Sequence, residues 1–195
     1  MRGSAEINGV KLNYRIDGPE GAPGVVFGNS LATNYSMWDD QIDALKDNYR
    51  VLRMDKRGHG DSEPGDTEFS IDDLANDVVG LADALGFIGG HYIGLSIGGM
   101  IGQAIGMNHP DSFKSLTLCA TTSQVPAETH PVWEDRISIA ENNGMEFLVK
   151  STIERWFSDS YRGANPEKIA RIGEMVSATS PTGYVRCCRA IMGMA

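Results

Sequence analysis

Gly94-Leu95-Ser96-Ile97-Gly98-Gly99 is the stretch on which the reading of this chain turns. The segment before it, His91–Ile93, reads as a short apolar strand, and Ile97–Asn108 after it as a helix. A serine on so sharp a strand-to-helix bend adopts a strained backbone, so the residues two places to either side must lack bulk. Gly94 and Gly98 meet that demand. The bend lifts the hydroxyl above the sheet edge, and the helix start aims backbone N–H groups at developing negative charge. Gly-x-Ser-x-Gly by itself is weak in a chain with 23 glycines; strand before and helix after give it force. Gly98, Gly102 and Gly106 then recur every four residues, so one helical face can lie close on the sheet. The plain alternative is a glycine-rich helix start with an incidental serine.

Upstream, Ala5–Ile7 and Lys11–Asp17 read as a hairpin turned at Asn8-Gly9. Met1-Arg2-Gly3-Ser4 carries no structural signal. Gly24–Phe27 is a buried strand, Met37–Lys46 a helix and Arg50–Met54 a further strand. Ser70 stands as an N-cap with Asp73 in the capping-box position, ahead of Leu74, Val78, Leu81 and Leu85 at helical period. Leu116–Cys119 is the last strand. Strand and helix alternate as in a mainly parallel sheet covered on both faces. After Thr121 only helices are expected: Val132–Asn142, Met145–Phe157, Pro166–Ala178 and Thr182–Met192. The division expected is a core over 1–122 and an inserted helical lid over 123–195.

At 195 residues the chain can build one sizeable core. Its 41% apolar and 22% charged residues are ordinary for a globular protein, and the formal charge of −9 speaks against nucleic-acid or anionic-membrane partners. Cys119, Cys187 and Cys188 make no disulfide framework and no metal spacing; they read as small buried apolar residues in a reducing cytoplasm. No signal peptide is seen, and the apolar run Tyr92–Met107 is too short and glycine-rich to span a bilayer.

Two loops flank the serine. Gly28-Asn29-Ser30-Leu31-Ala32-Thr33 follows the Gly24–Phe27 strand and is the natural source of a second oxyanion donor, the N–H of Leu31, beside that of Ile97. Asn29 and Ser30 would hold that loop by side-chain hydrogen bonds. Asp55-Lys56-Arg57-Gly58-His59-Gly60-Asp61-Ser62 specifies a tight turn, in which His59 is read as structural in preference to a catalytic base.

Taken together, Asn29-Ser30-Leu31, Ser36-Met37-Trp38, Val51-Leu52-Arg53-Met54-Asp55, Arg57-Gly58-His59-Gly60-Asp61-Ser62 and Gly94 to Met100 resemble the 3-oxoadipate enol-lactonases. So do Glu154-Arg155-Trp156-Phe157 and Gly183-Tyr184-Val185-Arg186-Cys187-Cys188. The bend and the Arg-Gly-His-Gly turn belong to the whole α/β-hydrolase fold, whereas the Asn-Ser loop and the helical segments are more specific to this branch. The resemblance implies hydrolysis of the enol-lactone of a small dicarboxylate on the β-ketoadipate route of aromatic breakdown, with no cofactor. Ser96 would attack the carbonyl while Leu31 and Ile97 hold the oxyanion. The substrate keeps a free carboxylate, for which Arg136, Lys150 and Arg155 are candidate partners if they are not simply solvated surface charges.

The same resemblance places a triad acid and histidine on the last two strands, after the lid. Neither is found here, and those two strands are expected to be missing from the chain. Of the histidines, His91 and His109 read as structural, and His130, where the helical part begins, is the one conceivable substitute. The expectation is a hydrolase completed by roughly 70 further residues, in a C-terminal segment or second chain; without them Leu116–Cys119 would form an exposed apolar edge. Two other readings stay open: another small-ester hydrolase or cofactor-free haloperoxidase-like enzyme, and a non-catalytic module that binds a small ligand beneath the lid.

Overall fold

The computed structural model describes residues Met1–Met194. Its centre is a six-stranded sheet of β1 (Arg2–Ile7), β2 (Val10–Asp17), β3 (Gly24–Gly28), β4 (Arg50–Met54), β5 (His91–Leu95) and β6 (Ser115–Cys119). The spatial order is β1-β2-β4-β3-β5-β6. The hairpin turns at Asn8 and Gly9, both at positive φ, as that dipeptide requires. β2 runs antiparallel to β4, while β3, β4, β5 and β6 are mutually parallel. Residues 2–4, silent in sequence, extend β1, with Arg2 facing Arg15 and Gly3 facing Tyr14.

β3 and β4 are buried on both faces, and residues of β3, β4 and β5 alternate between two cores. Val26, Leu52 and Tyr92 face α2 (Ile71–Ala84) and α3 (Ile97–Asn108), joining Leu74, Val78, Leu81, Ile101 and Ile105. Val25, Phe27 and Val51 face the other way, against Trp38 and Ile42 of the segment that runs through a 3-10 turn (Tyr35–Trp38) into α1 (Asp39–Leu45). The single helix expected over Met37–Lys46 is thus a 3-10 turn followed by a shorter α-helix. Asn34 caps the turn by accepting the N–H of Ser36 at 2.9 Å. Ser70 and Asp73 close α2 with a reciprocal capping box.

The regular structure after β6 is helical: α4 (His130–Asn142), α5 (Glu146–Trp156), α6 (Asp159–Ala164), α7 (Pro166–Ala178) and α8 (Pro181–Met192), after a 3-10 turn at Ala127–Thr129. The short α6 is absent from the sequence expectation; Ser158 caps it by accepting the Tyr161 N–H, and its 6 residues, fewer than two helical turns, carry too little periodicity to be read. α8 seats its start directly on the turn after β4, where Gly58 and Gly183 meet backbone to backbone. β6 is an edge strand of the described sheet, with Leu118 38% exposed. Of the three free cysteines, Cys187 and Cys188 are buried, whereas Cys119 at the end of that edge is partly exposed, contrary to the expectation for it. Among the described residues no helix is long and apolar enough to cross a membrane, and no cluster of side chains could hold a metal.

Candidate active site

Strand order alone says where a ligand would sit. From β3 the chain passes to β4 on one side and then crosses to β5 on the other, so the loops after β3 and β5 part at the carboxyl ends of two neighbouring strands. Parallel α/β sheets bind ligands in that crevice. Gly28 and Gly94 pair across the two strands, bringing the loop at Asn29 and the bend at Ser96 side by side.

Ser96 takes φ 57° and ψ −116° between β5 and α3. This left-handed backbone is strained for a residue with a Cβ. The bend is held by its own main chain: Ser96 N–H donates to the Cys119 carbonyl at 2.9 Å, and the Ser96 carbonyl accepts from Gly99 N–H at 2.8 Å, Met100 N–H at 3.0 Å and the Thr121 hydroxyl at 2.9 Å. A Cβ on Gly94 would strike the Gly98 carbonyl, and one on Gly98 would strike the Gly28 carbonyl. Both glycines are therefore steric requirements of the bend. Farther along α3, Gly102 lies against Leu118 and Tyr92, and Gly106 against Leu116, the close face that the four-residue spacing predicts. The Ser96 side chain makes no capping hydrogen bond, and the residue is half-buried at the wall of a cavity of about 520 Å³.

The loop after β3 is organised by buried polar contacts. The Asn29 amide donates to the Met54 carbonyl at 2.7 Å and accepts from the Trp38 indole N–H at 3.0 Å, the shape-holding role expected of it. The Ser30 carbonyl accepts from the Lys56 ammonium at 2.6 Å and the Thr33 hydroxyl at 2.9 Å. Ala32, at φ 57°, gives its N–H to His59 Nε2 at 3.0 Å. His59 is fully buried, and burial together with the nearby Lys56 ammonium holds its pKa well below the ordinary histidine value. It is a neutral strut of the turn. Ser30 and Thr33 line the cavity; Leu31 and Ile97 each lie one residue beyond a lining residue, Ser30 and Ser96 respectively.

The opposite wall comes from α5 to α7. Arg155 lines the cavity together with Trp156, Phe157 and Tyr161. Its pKa is lowered, first by burial and then by Arg136 close by. Arg136 itself stacks on the Trp133 ring, 4.6 Å from the centroid, and is not part of the cavity wall. Lys150 points away: its side chain is 88% exposed beside Glu154. Of the three cations singled out in sequence, the structure brings only Arg155 to the Ser96 cavity.

Lys168 and Arg171 of α7 also line the cavity and were not anticipated. They face α1, where Lys168 pairs with Asp40 at 2.6 Å and Arg171 lies 3.7 Å from Asp39. Their i, i+3 spacing puts them on one helical face, but only the docking of α7 on α1 shows which way it looks. Among the described residues no histidine lines this cavity, and its one carboxylate, Asp40, is engaged by Lys168. His91 bonds the Ser115 hydroxyl at 2.8 Å and His109 the Asn76 amide at 2.7 Å, as structural residues do. His130 Nε2 is buried without a partner at the start of α4, away from the cavity wall. A wider cleft of about 760 Å³ lies between the start of α2, α3 and the end of α8, and Ser96 has no part in it.

Against known proteins, residues 23–147 match the family model described as alpha/beta hydrolase fold. The chain is 36% identical over 183 residues to 3-oxoadipate enol-lactonase 1 of Acinetobacter baylyi, covering 94% of this chain and 68% of that protein. The second enol-lactonase of that organism is 31% identical, with 67% of its length covered. Among solved structures, the enol-lactonase from Burkholderia xenovorans LB400 superposes with a TM-score of 0.94 at 38% identity, over 98% of this chain and 74% of that one. A hydrolase from Pseudomonas aeruginosa PA01 superposes with a TM-score of 0.92 at 29% identity, over 99% of this chain and 73% of that one.

Proposed function

Since the chain belongs to the α/β-hydrolase fold family, and within it to the relatives of the 3-oxoadipate enol-lactonases, we propose that it hydrolyses a small enol-lactone through an acyl-enzyme on Ser96. The observation that carries this reading is the strained Ser96 bend at the wall of a cavity whose far side presents Arg155. The helices α4 to α8 act as the lid of that cavity. Ser96 Oγ attacks the lactone carbonyl, and the tetrahedral oxyanion is held by the N–H groups of Ile97 and Leu31. The acyl–oxygen bond then breaks; the proton lost by serine passes to the departing enol oxygen, and water releases the diacid in a second displacement. Arg155 binds the carboxylate that the substrate keeps outside the ring.

Serine needs a base, and none of the described residues offers one at the cavity. The two enol-lactonases above are longer than the part of them this chain spans. A C-terminal segment carrying the histidine and acid of a triad therefore completes the enzyme. The free thiols fit a reducing, cytoplasmic setting. A second reading, a ligand-binding module with an unactivated serine, is favoured by the same lack of a base.

The test is hydrolysis of 3-oxoadipate enol-lactone by the chain with and without the C-terminal segment of a relative, each with Ser96 intact or as Ser96→Ala. Activity that needs both the segment and Ser96 supports the enzyme reading. Ligand binding to the cavity with no hydrolysis in any arm supports the other.

A further inference from the structure

Among the described residues, Lys56 is the one buried ammonium that meets the loop after β3. It is 6% exposed, on the turn after β4, and its Nζ donates to the Ser30 carbonyl at 2.6 Å. A trans peptide is planar, so its carbonyl oxygen and the following N–H point to opposite sides; the described residues contain no cis bonds. Drawing the Ser30 carbonyl toward Lys56 therefore turns the Leu31 N–H away from Lys56, and Ser30 itself lines the Ser96 cavity. The next peptide is fixed separately, because the Ala32 N–H is taken by His59. Of the two amides in this corner, only that of Leu31 is left to face a ligand.

We propose that Lys56 is a positioning residue of the oxyanion site: its buried charge holds the Ser30–Leu31 peptide in the orientation that presents the Leu31 N–H above Ser96. The proposal rests on the reading of Ser96 and Leu31 given above. Thr33 also donates to the Ser30 carbonyl, but through a neutral hydroxyl, and a charged donor makes roughly twice as strong a bond. A methionine of similar length would fill the same space without taking a charge out of water, so packing does not require the ammonium.

The charge has few neighbours. Asp55 precedes it in the chain, His59 stands across the turn, the Cys187 thiol approaches from α8, and the Arg57–Asp77 ion pair lies beyond. Burial pushes the Lys56 pKa down to about 8, with Asp55 and Cys187 opposing the shift. His59 is already neutral, and Cys187, raised to about 12 by burial, stays a thiol. On this count Lys56 is the group of the corner that changes charge just above neutrality, and the hold on Ser30 weakens as pH rises through about 8.

The test uses the chain labelled with nitrogen-15, and p-nitrophenyl acetate as a neutral ester, assayed with the C-terminal segment supplied. In the unaltered protein the Leu31 amide resonance should move with a midpoint near pH 8; in Lys56→Arg, which keeps its charge, it should stay still between pH 6 and 10, and in Lys56→Met it should start displaced and not titrate. Turnover should fall roughly tenfold to a hundredfold in Lys56→Met with KM within threefold, and recover in part in Lys56→Arg. A Leu31 resonance indifferent to pH in the unaltered protein overturns the proposal, as does Lys56→Met turnover within twofold of it. Should Lys56→Met not fold, the titrations of the unaltered protein and Lys56→Arg still decide. Hydrolysis that survives Ser96→Ala would instead defeat the nucleophile reading, leaving the Leu31 titration to judge Lys56.

Discussion

Ala32 and His59 share a hydrogen bond of 3.0 Å in which the Ala32 N–H is the donor and Nε2 the acceptor. The imidazole proton must then sit on Nδ1, which lies 3.0 Å from the Arg57 carbonyl and donates to it. One neutral tautomer thus ties the loop after β3 to the turn after β4. A protonated imidazole could accept nothing from Ala32, so charging His59 breaks the tie as well as desolvating a cation.

The pH consequence has a definite sign. His59's folded pKa lies well below 6.5, so between that value and 6.5 the unfolded chain holds a proton that the folded chain lacks. The contribution to stability is complete above about pH 6.5 and falls as pH drops, by at most about 1.4 kcal/mol per pH unit. Urea unfolding at pH 7, 6 and 5 should show this loss, and His59→Gln, which keeps an acceptor but cannot titrate, should remove that part of the slope. Equal slopes for both proteins would contradict it.

Strain at Ser96 predicts a stability gain where function is given up. Ser96→Ala keeps a Cβ at φ 57° and ψ −116°, whereas Ser96→Gly relieves it. The glycine variant should be about 1 kcal/mol more stable than the alanine variant despite the freer unfolded chain. Paired urea denaturation curves measure the difference; a less stable glycine variant would mean that the bend stores no strain.

Arg155 and Lys150 differ in what they face, and kinetics should separate them. With an anionic lactone, Arg155→Met should raise KM roughly tenfold to a hundredfold, the loss of one charge-assisted contact, and should hardly change KM for p-nitrophenyl acetate. Lys150→Met, from a side chain 88% exposed to solvent, should leave both constants unchanged. Equal losses on neutral and anionic substrates would remove Arg155 from carboxylate binding.

Much of this was legible before the structure, and the limits have physical causes. Arg50–Met54, Ile97–Asn108 and Pro166–Ala178 agree with the structure to the residue, because a short apolar run, the glycine bend and a proline at the helix start are local signals. The Ser70 capping box was equally local. Arg2–Ser4 was missed because its strand character comes only from pairing with β2. Lys56, Lys168 and Arg171 were missed for a similar reason: Lys56 reads as one more charge in a polar turn until Ser30 is seen above it, and the α7 pair depends on α1, more than a hundred residues away in sequence. Lys150 and Arg155 could not be ranked, since five residues turn a helical side chain by about 140° and only packing says which position looks inward.

Gly183 offers the sharpest test of how the helical part is tied to the turn that carries Lys56 and His59. A Cβ at Gly183 would run into the backbone of Gly58, itself at φ 67°, where no flexible side chain can yield. Gly183→Ala must therefore push α8 off the turn, at about 1–3 kcal/mol of stability, and loosen the grip of Arg186 on the Gly65 carbonyl, 2.7 Å away. Gly163 in α6 is the control, because a Cβ there meets nothing and alanine favours the helix. Urea unfolding of the two variants, with amide exchange followed over residues 56–60, should show one destabilised and exchanging faster at the turn, and the other unchanged or slightly more stable. If both behave alike, the contact of Gly58 with Gly183 is not what holds α8 in place.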